Sequence, residues 1–156
     1  MSGIDHGRLL LGGILAGLII NIGEFIFNVP VAGAAYDASL ARLGLAPPGP
    51  TAISVFVLLC FLLGILAVWL YAAIRPRMGP GVRTAIYSGL FVWILFSAYP
   101  GISNAVLGVT APWLVMLTVA WQLFEVPLAT MAGAWIYRER ATPAAAPTPA
   151  RESVPV

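Results

Sequence analysis

The sequence carries four apolar runs, each close to the roughly 20 residues that an α-helix needs to cross about 30 Å of hydrocarbon. The first extends from Arg8 to about Asn28 and the second from about Thr51 to Ile74. The third extends from about Thr84 to Tyr99, with continuation past Pro100 toward Leu107 left open, and the fourth from about Trp113 to Tyr137. Only 9% of the 156 residues are charged, against roughly 25% in a soluble domain. Such a chain cannot coat a globule with charge, so its outer surface must meet lipid. The expected fold class is all-α: an integral membrane bundle of four transmembrane helices over residues 1–140. The tail, 141–156, turns to Ala, Pro and Thr without periodicity and is expected to be disordered.

Punctuation between the runs supports this division. Pro47-Pro48-Gly49-Pro50 stops any helix, and Thr51 is placed to cap the next. Arg75-Pro76-Arg77-Met78-Gly79-Pro80-Gly81 reads as a tight polar turn. Thr110 followed by Pro112 reads as a cap with proline in the first turn. Between the first two runs, Tyr36, Leu40 and Leu43 recur at helical spacing among Asp37, Ser39 and Arg42. This pattern predicts a short amphipathic helix, lying either on the membrane surface or over the bundle as a lid.

All eight basic residues are arginine, and their placement orients the chain. Arg8, Arg75, Arg77, Arg83, Arg138, Arg140 and Arg151 fall in the three regions that share one side of a four-span protein, and Arg42 alone falls on the other. Positive charge accumulates on the cytoplasmic side, so a bacterial inner-membrane protein with both termini cytoplasmic is expected. Aromatic residues gather near the expected boundaries, with Trp69, Tyr71, Tyr87, Trp135 and Tyr137 at the inner one and Tyr36, Tyr99 and Trp113 at the outer. Ala32-Gly33-Ala34 resembles a leader cleavage site. The preceding apolar run is longer than a usual leader core of about 7–15 residues and contains Asn21 and Glu24, so the first helix is expected to be retained.

Two intramembrane carboxylates carry most of the chemical information. A charged side chain at mid-bilayer costs about 2.5–3.5 kcal/mol on insertion scales, so it turns toward a partner or a wet cavity. At about 100° per residue, Gly13, Gly17, Asn21, Glu24 and Asn28 fall on one stripe of the first helix. Thr118, Gln122, Glu125, Ala129 and Ala132 share a face of the fourth. Pro127 withholds a backbone donor from the Leu123 carbonyl, which predicts a kink or widened turn beside Glu125. Glu24 and Glu125 lie within roughly one helical turn of each other in depth. The expected polar intramembrane site is therefore Asn21, Glu24, Asn28, Gln122 and Glu125. Two carboxyls that meet in low dielectric do not both ionise, so the site suits a proton or a cation. The alternative is that carboxyl and amides simply join two helices.

Other features exclude more than they assign. The net charge of +2 is small and scattered, which excludes nucleic acid as a partner. The single cysteine, Cys60, forbids an internal disulfide and reads as a packed thiol; the single histidine, His6, sits in the terminal arm and cannot build a zinc or haem site. Gly13-Ile14-Leu15-Ala16-Gly17 permits close helix approach, within the chain or in a dimer. No nucleophile–base pair, metal set or phosphate loop is visible, so neither an enzyme nor a cofactor is expected.

The segment Gly23–Leu45, with its aromatic residues, Pro30, Gly33 and Tyr36 leading into Leu43-Gly44-Leu45, resembles small uncharacterised four-helix membrane proteins of bacteria over about the first third of the chain. The resemblance implies a similar break after the first span and carries no catalytic motif. A glutamate in the first of four helices is also similar in position to that of the small multidrug resistance transporters. The surrounding Asn21-Ile22-Gly23-Glu24-Phe25-Ile26 and the long first loop depart from that pattern, so no residue role is transferred. Two functions remain in view. One is a non-enzymatic accessory or ligand-binding bundle, as a homo-oligomer or within a larger membrane complex. The other is a small proton-coupled transporter using both carboxylates.

Overall fold

The computed structural model describes residues 4–137. The expected tail and Arg138, Arg140 and Arg151 lie outside the described residues. Helix α1, His6–Ile26, starts on Asp5, whose side chain accepts the Arg8 N–H at 3.2 Å, and continues into a π-helical turn, Phe27–Val31. A short helix α2, Gly33–Arg42, follows, then α3, Pro50–Met78. Helix α4, Val82–Trp93, passes through a second π-helical turn, Ile94–Ala98, into α5, Tyr99–Val106. Helix α6, Pro112–Ile136, completes the chain. Joined through their π-turns, these make four helical spans of 26, 29, 25 and 25 residues, each long and apolar enough to cross a membrane. The protein is thus an all-helical bundle of four membrane-spanning helices.

Successive spans alternate in direction, so the bundle has an end near the termini and an opposite end bearing α2. Helix α1 packs between α3 and α6, and α4 packs on α6 and α3. Small residues set the spacing because bulkier ones would hold the backbones apart. A methyl on Gly64 of α3 would lie 2.6 Å from the Gly13 carbonyl oxygen and 2.7 Å from the Gly17 Cα. Gly12 and Gly133 make the corresponding close approach of α1 and α6, and Gly89 of α4 rests on Pro127 of α6. The Gly13–Gly17 motif is therefore an internal contact between α1 and α3. Large apolar side chains such as Leu58, Phe25, Phe124 and Trp135 point outward, where lipid is their natural solvent.

Several boundaries differ from the sequence-based expectation, and backbone chemistry explains each. Gly49 and Ala111 occupy the cap positions of α3 and α6 with no side-chain cap bond, so neither Thr51 nor Thr110 serves as a cap. Pro50 and Pro112 start those helices instead, since their fixed φ is already helical and their missing N–H would have no partner there. The turn expected from Arg75 is shorter, because α3 runs through Pro76 to Met78 and ends where Gly79 takes φ +83°. A proline in the last turn removes one backbone bond and leaves the remainder intact. The fourth span keeps α-helical pairing through Pro127 without a widened turn. Widening occurs instead in the first and third spans, near Pro30 and Pro100. There the Ala32 N–H reaches the Phe27 carbonyl at 2.8 Å, and the Tyr99 N–H reaches that of Ile94. Each proline lacks an N–H, and the ladder closes again five residues apart rather than four.

Candidate polar intramembrane site

The first π-turn, separated from Glu24 by two residues, holds Asn28, and the second holds Ser97. Between them runs a hydrogen-bonded chain of side chains. Asn28 Nδ2 donates to Glu24 Oε2 at 2.6 Å and to the Glu24 carbonyl at 2.9 Å. Gln122 Nε2 donates to Glu24 Oε1, and Ser97 Oγ donates to Gln122 Oε1. The chain Asn28–Glu24–Gln122–Ser97 thus links the first, fourth and third spans and has both ends on π-turns. Such turns place an extra residue in the helix and turn the side chains beyond it to a new direction.

Glu125 lies one turn from Gln122 on α6 and is 8% exposed. Its carboxyl rests against Gly23, where any Cβ would overlap Oε1. The Trp121 indole N–H and the Glu24 backbone N–H lie nearby, but neither closes a well-formed hydrogen bond, so both carboxyl oxygens lack a partner. A carboxylate shielded from water and without a closed hydrogen bond is costly, which sets Glu125 apart from Glu24. Beside them, a cavity of about 30 Å³ is lined by Glu24, Gln122, Ser97, Trp93 and apolar side chains from all four spans. That is room for roughly one water-sized particle.

Of the five residues expected in the site, Glu24, Asn28 and Gln122 are joined by hydrogen bonds, and Glu125 abuts them through Gly23. Asn21 is elsewhere. Its Nδ2 donates to the Gly17 carbonyl at 2.8 Å and to the Val57 carbonyl of α3 at 3.3 Å. The predicted stripe of α1 straddles two neighbours: Gly13, Gly17 and Asn21 meet α3, while Glu24 reaches α6. Ser97 and Gly23 complete the site without having been expected in it. A lone serine after Ile94-Leu95-Phe96 carries little signal, although the break at Pro100 marks its neighbourhood. Gly23 was legible only as a residue beside Glu24.

Helix α2 closes the far end. Ala32 and Phe27 cluster with Leu114 of α6, with Tyr36 and Trp121 packed against them. The Thr118 hydroxyl donates to the Leu114 carbonyl at 2.8 Å, so the Tyr36 hydroxyl is the donor in its 2.6 Å bond to Thr118 Oγ1. Burial pushes the Tyr36 phenol above its ordinary value, which keeps it a donor. The expected short helix is present, but its packed face is not the expected Tyr36–Leu40–Leu43 stripe: Ser39 is buried, Leu43 is exposed, and Tyr36 makes the contact with the bundle. Among the described residues no three His, Cys, Asp or Glu side chains gather to hold a metal ion. No family model, no curated protein and no solved structure matches the chain.

Proposed function

We propose that this membrane bundle is a non-enzymatic binding protein that holds a small positive ligand, a proton or a water-sized monovalent cation, at the Glu24–Gln122–Glu125 site. The observation that carries this reading is the hydrogen-bonded chain from π-turn to π-turn, beside a small cavity and a second carboxyl that closes no hydrogen bond. Simple helix joining would need each polar group to be satisfied, and Glu125 is not. We also propose that both termini lie on the cytoplasmic side of a bacterial inner membrane, from the arginine asymmetry.

A proton-coupled carrier using the same residues is the second reading, favoured by the pair of carboxyls. It requires access from both sides. The half of the bundle toward the termini is closed by backbone contacts at Gly12, Gly13, Gly17, Gly64 and Gly133, which favours binding over passage. The full chain in lipid nanodiscs provides the test, with its melting temperature followed against sodium, against ammonium and against pH. The wild type should respond to at least one of the three and the double variant Glu24→Gln/Glu125→Gln to none. Saturation at about 100 times Kd would stabilise by about 2.7 kcal/mol. Equal responses from the wild type and the double variant to all three would refute the reading.

A further inference from the structure

We propose that the site's ligand is a proton, carried by Glu125, and that Glu24 is the charged partner that stays in place. This rests on the binding reading above and names its ligand. Both oxygens of Glu24 accept hydrogen bonds from amide N–H groups, one from Gln122 and one from Asn28. An ionised carboxylate is an acceptor on both oxygens, whereas a carboxyl must donate from one of them. The surroundings of Glu24 therefore fit the charged form.

Glu125 is in the opposite condition. It is buried, its oxygens lack partners, and the wall against Oε1 is the bare Cα of Gly23. Negative charge there would go uncompensated in low dielectric, and a bound proton removes that cost. The titratable groups within electrostatic reach are Glu24 of α1 and Cys60 of α3. Helix α4 meets this stretch of α6 through Gly89, on Pro127, and Val92, beside Val126. No cationic side chain is among these neighbours, so a proton is the available counter-charge.

A metal cation fits less well. Hard cations take about six oxygen ligands, whereas three oxygen-bearing side chains, those of Glu24, Ser97 and Gln122, line the cavity. Proton uptake forms one O–H bond on Glu125, turning its carboxylate into a carboxyl, and release breaks the same bond. The pair holds one negative charge when loaded and two when empty. Asn28, exposed and bonded to Glu24, lies at the α2 end of the first span.

Infrared pH-difference spectroscopy on the full chain in nanodiscs tests this, because a protonated carboxyl shows a C=O stretch that a carboxylate lacks. Above the pH range in which exposed carboxyls titrate, the wild type should show one such band that vanishes on further titration. The band should be lost in Glu125→Gln, be retained in Glu24→Gln and change frequency in Glu125→Asp. The aspartate variant keeps the assay decisive if the glutamine variant does not fold. A wild type without the band, or a band lost in Glu24→Gln and unmoved in Glu125→Asp, would overturn the proposal. Stabilisation by sodium or ammonium without a Glu125 band would leave the binding reading standing and remove only the proton.

Discussion

At the scale of single residues, the site depends as much on a missing side chain as on those present. Gly23 supports the Glu125 carboxyl, and a methyl group there would occupy the position of Oε1. Gly23→Ala is therefore expected to destabilise the protein by about 1–3 kcal/mol, the usual range for overpacking. Combined with Glu125→Ala, which removes the obstructing group, the same substitution should cost less than it does alone in the wild type. Thermal melting of the two single variants and the double variant measures the coupling, and strict additivity would show that the two residues do not share this contact. Gln122 is the other hinge of the site, because it donates to Glu24 and accepts from Ser97 at once. Gln122→Leu should weaken the cation or pH response in the same nanodisc melts, since it withdraws one of the two donors to Glu24, and a response equal to the wild type's would show that this bond does not matter to the site.

Elements contribute through how they end and where they widen. The π-turns place Asn28 and Ser97 at the two ends of the polar chain, and the first also leads into α2. Helix α2 is held by the Phe27–Ala32–Leu114 cluster and by the Tyr36–Thr118 hydrogen bond. Tyr36→Phe should release about 1 kcal/mol of that hold. Hydrogen exchange of the α2 amides should then quicken several-fold while α3 is unchanged. Thr118→Val should produce the same effect and add nothing to Tyr36→Phe. Unchanged exchange in both variants would mean that apolar contacts alone dock α2. Gly64→Ala acts on a different element contact: its methyl would meet backbone atoms of Gly13 and Gly17, which cannot rotate away. A loss of stability of about 1–3 kcal/mol is expected, and a neutral substitution would show that α1 and α3 can part at small cost.

The whole molecule is governed by its solvent and by its charge asymmetry. Seven of the eight arginines fall on the side of the termini, and Arg42 on the side of α2. A C-terminal reporter active only in the periplasm should stay silent in a bacterial host; a strong signal would reverse the proposed orientation. Intact mass measurement should find the first helix still attached, since Ala32 and Gly33 belong to the folded junction between the first span and α2. A mature chain beginning at Ala35 would contradict this.

Hydropathy by itself determined the four spans, because an apolar run of helical length has one inexpensive arrangement in a bilayer. Helical periodicity likewise determined that Glu24 and Gln122 turn inward, since lipid offers them no partner. Which inward neighbour each residue meets was decided by tertiary structure alone. Asn21 and Glu24 share a stripe in the sequence, yet the glycine contacts set α1 between two helices and send Asn21 to α3 and Glu24 to α6. Proline positions were legible, but their effects were not. Pro127 stays within an α-helix without a widened turn, against Gly89, while the chain widens near Pro30 and Pro100. A missing N–H tells only that one backbone bond is lost; the packing around it decides whether the helix absorbs the loss or changes its pitch.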